Sequence, residues 1–108
     1  MHTIAFASIA LSCLFSFGAH AYMVNGNMLL NDFEKRKPAA AGYIEGVTDM
    51  GNRSHFCVPG GTVTSQLKKT AFDYLNENRE ILDKPAALIV TQAFKETYPC
   101  DEPDALNG

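Results

Sequence analysis

The chain has 108 residues, with 9 Lys and Arg against 12 Asp and Glu for a formal net charge of -3, and 46% of it is hydrophobic. That is enough for one small core and short of two domains. The mildly acidic balance argues against a nucleic-acid binder, which would show a basic stripe.

Ile4 to Phe17 (IAFASIALSCLFSF) is apolar apart from small Ser residues and runs into Gly18-Ala19-His20-Ala21. Ala19-His20-Ala21 fits the small-residue cleavage pattern of a secretory signal peptide, so residues 1–21 are expected to be removed and the mature chain to begin at Tyr22. The run falls short of the ~20 residues that span a bilayer. Met1-His2-Thr3 departs from the pattern by lacking Lys or Arg. A retained anchor or a buried first helix is the alternative, and Cys13 could suggest a lipoprotein. Every Asp, Glu, Lys and Arg lies after Ala21, and His55 is the one histidine beyond it. No second apolar stretch predicts a membrane span.

After the leader the pattern is helical. Asn25 to Lys37 places Met28, Leu29 and Phe33 at helical spacing and predicts a short amphipathic helix ending before Pro38. Pro38 suits the first turn of a second helix, where its missing N–H costs nothing. That helix carries Tyr43, Ile44, Val47 and Met50 on one face. Gly42 and Gly46 lie one turn apart in it, and each glycine costs a helix roughly 1 kcal/mol relative to alanine. The pair therefore predicts a groove for close approach of another helix, with a pair of tolerated defects as the alternative.

Gly51 to Gly61 is irregular, and Pro59-Gly60-Gly61 punctuates the chain before a third helix. Thr62 or Thr64 is the expected cap. Leu67, Ala71, Tyr74 and Leu75 then form one stripe on a helix running to about Asn78. Asn76 to Lys84 is a polar turn, and Pro85 opens a last helix in which Leu88, Thr91, Phe94 and Tyr98 share a face. Residues 22–100 make one helical domain, and 101–108 an acidic frayed tail. The fold class is all-α, a small bundle of about four helices.

Cys57 and Cys100 flank the last two helices. Joined by a short turn, these helices should lie antiparallel, which brings the two cysteines to the open end of the hairpin. A disulfide there would close a loop of about 43 residues and contribute roughly 4 kcal/mol in the chain-entropy model. A pair of free buried thiols or an intermolecular bridge is the alternative.

Catalytic chemistry is sparse. His55 and Cys57 are two apart and point differently on most backbones, and a disulfide-bonded cysteine is no nucleophile. The paired short Cys/His spacings of structural zinc sites are missing, as are a paired set of carboxylates and a phosphate loop after a strand. No cofactor or metal is expected, and the chain reads as a binding protein rather than an enzyme.

Gly42-Tyr43-Ile44-Glu45-Gly46-Val47, then Phe56-Cys57-Val58-Pro59, Gly61-Thr62-Val63-Thr64-Ser65-Gln66-Leu67, Tyr74-Leu75, Pro85-Ala86-Ala87, Phe94 and Tyr98-Pro99-Cys100 follow one another in a characteristic order. Over Gly42 to Cys100 this series resembles the Rap/Tai immunity proteins of type VI secretion systems. The resemblance implies a periplasmic, all-helical, commonly dimeric protein that binds and blocks a peptidoglycan-cleaving amidase injected by neighbouring cells. Relatives often carry further cysteines in the first helix and just before the Gly-Tyr, and Asn31 to Val47 has none.

The expected contact surface for a cognate amidase is the loop Asn52, Arg53, Ser54 and His55. The turn holding Glu77, Arg79 and Glu80 is a second candidate. The alternative is a small periplasmic helical protein with a structural or stress-related role, using Gly42 and Gly46 to form a homodimer.

Overall fold

The computed structural model describes residues 23–101. The expected leader with its cleavage after Ala21, and the tail beyond Asp101, lie outside the described residues. Four α-helices follow in order: α1 (Gly26–Glu34), α2 (Pro38–Gly51), α3 (Thr64–Glu77) and α4 (Ala86–Thr97), with a 3-10 turn at Arg79–Ile81 between the last two. The expected all-α bundle is what forms, and extended pairing among the described residues is limited to two isolated bridges.

Asn25 caps α1, its Oδ1 accepting the Met28 N–H at 2.9 Å. Gly26 is buried because the chain crosses the α3–α4 connection there: its N–H donates to the Lys84 carbonyl at 3.0 Å, and the Asn27 N–H to that of Leu82 at 3.0 Å. A Cβ at Gly26 would meet the Leu82 Cα at 3.0 Å and Ile89 Cδ1 at 2.7 Å, so glycine lets the two segments cross closely without either shifting. Leu29 and Leu30 carry the core contacts. Met28, expected on the inner face, is 38% exposed.

The end of α1 is a Schellman turn. The Arg36 N–H donates to the Phe33 carbonyl at 3.0 Å and the Lys37 N–H to that of Asp32 at 2.9 Å. Arg36 takes the left-handed position at φ 54, a place usually given to glycine. Pro38 then opens α2 as expected.

In α2 the inward residues are Ala40, Ile44 and Gly51, with Tyr43 and Val47 half-buried. Met50, expected on that face, stands 83% exposed. One position further on, Gly51 reaches the core and packs under the Phe56 ring.

Neither threonine caps α3. Its N-cap is Val63, whose N–H donates to Gln66 Oε1 at 3.1 Å. Thr62 instead closes the preceding turn, its Oγ1 donating to the Pro59 carbonyl at 2.8 Å. Leu67, Ala71 and Leu75 form the buried stripe of α3. On α4 the buried set is Ala86, Ile89, Val90, Ala93 and Phe94. Phe94 lies where the spacing put it, while Leu88 is 64% exposed, because the buried stripe runs beside the expected face.

Phe56, from the irregular segment, is fully buried and meets Phe94 edge-on at 5.2 Å between ring centroids. Each fully buried Phe contributes about 1.5–3 kcal/mol, and such an aromatic pair adds about 0.5–1.5 kcal/mol. Beside this pair Cys57 and Cys100 form an intramolecular disulfide, with Cα atoms 5.0 Å apart and a sequence separation of 43. The Cys57 N–H donates to the Tyr98 carbonyl at 2.7 Å, so the staple and a backbone bond fix the same point.

Candidate functional site

The Asn52–His55 loop is a tight turn built on the end of α2. The Gly51 carbonyl accepts the N–H groups of Ser54 at 3.0 Å and His55 at 2.8 Å, and the Arg53 N–H donates to the Phe56 carbonyl at 2.6 Å. Arg53 reaches this by adopting φ 76. Asn52 faces inward, its Oδ1 accepting the Val58 N–H at 2.8 Å. Arg53, Ser54 and His55 are exposed, with the Ser54 hydroxyl turned back to donate to the Gly51 carbonyl at 3.1 Å. Gly51 anchors the assembly, since a Cβ there would overlap the Phe56 ring. The chain thus holds three exposed polar side chains on a braced loop, one residue from a fully buried Phe and two from the disulfide.

The second candidate lies elsewhere. Glu77, Arg79 and Glu80 are exposed on the turn that joins α3 to α4. Asn78 Nδ2 donates to the Tyr74 carbonyl at 2.9 Å and Arg79 Nη2 to Asn76 Oδ1 at 2.6 Å. This turn is at the end of the hairpin opposite the disulfide, and the 14 residues of α3 separate the two ends by about 21 Å. The structure does not join these residues to the Asn52–His55 loop in one local patch.

Gly42 and Gly46 are brought together with His55. They line an open groove of about 560 Å³ between α2 and α4, with Tyr43, Val47, Met50, Ala87 and Thr91. A Cβ at either glycine would meet nothing within 4 Å, so no helix among the described residues makes a close approach there. Burial pushes the Tyr43 phenol above its ordinary value, opposed in part by a backbone hydrogen bond from Ala87. The groove lining is mostly apolar, with exposed Met50 on its α2 wall and Ala87 and Thr91 on the α4 wall.

Among the described residues no group of three or more His, Cys, Asp and Glu is placed to hold a metal ion. Cys57 and Cys100, the cysteines among the described residues, are joined to each other, so neither offers His55 a thiol to activate. No helix among the described residues is long and apolar enough to cross a membrane.

Sequence reading overlooked two features. Gly51 is indispensable to the loop, yet its sole local signal was its place before a turn-forming stretch. Arg36 and Lys37 come beside Lys68 around one concavity, which a reading in chain order keeps apart.

Fold and surfaces define a class: a small, disulfide-tied helical scaffold that presents a braced loop and an open apolar groove. Within that class the family is specific. The model of the family described as Rap1a immunity proteins matches residues 25–100, and the chain belongs to that family. No curated protein and no solved structure matches significantly.

Proposed function

We propose that this protein is a periplasmic, non-catalytic immunity protein that binds and inhibits a peptidoglycan amidase delivered by type VI secretion. The observation that carries the proposal is the family match over residues 25–100, from the N-cap of α1 to the second disulfide cysteine. A disulfide-closed fold agrees with an oxidising compartment. The Asn52–His55 loop is the contact surface we favour, because a braced loop loses little conformational freedom on binding. The amidase encoded beside the gene should co-purify with the mature protein, and co-expression should protect cells from lysis when that amidase is sent to the periplasm. A partner that neither co-purifies nor is neutralised would leave the structural or stress-related role as the better account.

The groove over Gly42 and Gly46 supports a homodimer as the working form. Among the described residues nothing fills the space over the two glycines, and exposed Met50 lines the same groove, so hole and knob lie on one face, as a two-fold contact needs. Gly42→Leu together with Gly46→Leu should halve the mass seen in light scattering. A wild-type mass equal to one chain at micromolar concentration would remove the dimer.

A further inference from the structure

The end of α1, the start of α2 and the outer face of α3 gather Lys35, Arg36, Lys37, Lys68 and Lys69, five of the nine Lys and Arg in a chain of net charge -3. Arg36, Lys37 and Lys68 line one concavity of about 380 Å³ whose floor includes Phe33 and Pro38. Lys68 and Lys69 line a second of about 390 Å³, between Phe33 and Phe72. Phe33 and Phe72 meet edge-on at 5.5 Å, and Phe33 and Lys68 line both hollows. Two carboxylates answer these charges: Asp73 lies 2.8 Å from Lys69 and Asp32 lies 3.9 Å from Lys37. Lys35, Arg36 and Lys68 form no ion pair among the described residues.

A second observation points to the same place. Arg36 sits at φ 54, where a side chain other than glycine or asparagine is disfavoured. Folding alone would be served better by glycine there. What the arginine adds is a cation at the rim of the first hollow, and strain of this kind is held where a site uses it.

We propose that this patch is a docking surface for an acidic segment of a protein partner, with Asp or Glu side chains meeting Arg36 and Lys68 and an apolar residue seated against Phe33. The relief of the patch favours a protein over a membrane, whose flat anionic surface would leave both hollows unfilled. Concentrating positive charge on one region of an otherwise acidic molecule orients encounter and raises the association rate. Taking the partner to be the amidase rests on the immunity function proposed above.

The test uses the whole mature protein and two probes. Hexaglutamate peptide should shift the amide resonances of Arg36, Lys37, Lys68 and Lys69 while hexaglutamine leaves them in place, and Arg36→Gly with Lys68→Glu should abolish the shifts. Arg36→Gly alone should unfold at a temperature no lower than wild type, so a loss of binding cannot be put down to misfolding. With the amidase encoded beside the gene, Arg36→Gly with Lys68→Glu should slow association at low salt about tenfold. Lys84→Glu with Lys95→Glu, a larger charge change outside the patch, should slow it less. Peptide shifts without amidase binding would sustain the patch and sink the amidase as its partner. An amidase that binds at an unchanged rate would overturn the patch as its docking surface and leave the immunity function intact. Shifts produced by phosphatidylglycerol vesicles and absent with hexaglutamate would overturn it in favour of a membrane. Head-to-tail growth of the protein alone, lost in Lys68→Glu, would overturn it in favour of a second copy.

Discussion

At Gly51 one hydrogen atom decides whether the loop above it forms. The Phe56 ring lies where a Cβ would stand, and the same residue's carbonyl holds two N–H groups of the loop. Gly51→Ala should cost about 1–3 kcal/mol, the range for overpacking, read as a lower urea midpoint, and should loosen the exposed Arg53, Ser54 and His55. Arg36 is the opposite case, since Arg36→Gly should raise stability by about 1 kcal/mol by relieving its left-handed backbone. Tyr74 supplies a pH signature. Its phenol is pushed above the usual 10.0, first by burial and then by Glu96, whose Oε2 accepts from the Tyr74 hydroxyl at 3.2 Å. The raised value belongs to the folded state, so the stabilisation is full below about pH 10 and is lost as pH rises through the folded value. Tyr74→Phe should flatten that alkaline fall in thermal stability. An unchanged slope would mean that the interaction contributes nothing.

Among the elements, the α3–α4 hairpin was the most legible. Leu67, Ala71 and Leu75 repeat at one-turn spacing, and Pro85 before α4 marks the far side of the turn. Cys57 and Cys100 lie where antiparallel helices of that length must end. Cys57→Ser with Cys100→Ser should cost roughly 4 kcal/mol, and Phe94→Ala about 3–5 kcal/mol, both measured by denaturant unfolding. What the spacing could not set was the rotation of each helix by one position. Met50 and Gly51, or Leu88 and Ile89, are adjacent, and an isolated helix pattern tolerates either as the inner residue. Tertiary packing chose between them: Phe56 arrives from an irregular segment with no periodicity and takes the space over Gly51. The cap of α3 failed for a related reason, since Thr62 was already engaged by the Pro59 carbonyl.

For the whole molecule, sequence order hid the surfaces more than the core. The candidate loop at Asn52–His55 was legible because it is continuous in the chain, whereas the groove needs α2 beside α4 and the basic patch needs α1 beside α3. Gly42 and Gly46 could be read as a place for close approach, but no other described residue comes near them, because α2 and α4 diverge over them into the open groove. A braced loop, an open groove and a pair of cation-lined hollows on a stapled scaffold suit a protein that works by contact. The most direct measurement of that claim is a titration of any amidase found encoded beside the gene with the oxidised protein, following peptidoglycan hydrolysis. Activity should fall linearly to near zero at a fixed stoichiometric ratio, and hydrolysis undiminished by excess protein would contradict the immunity function.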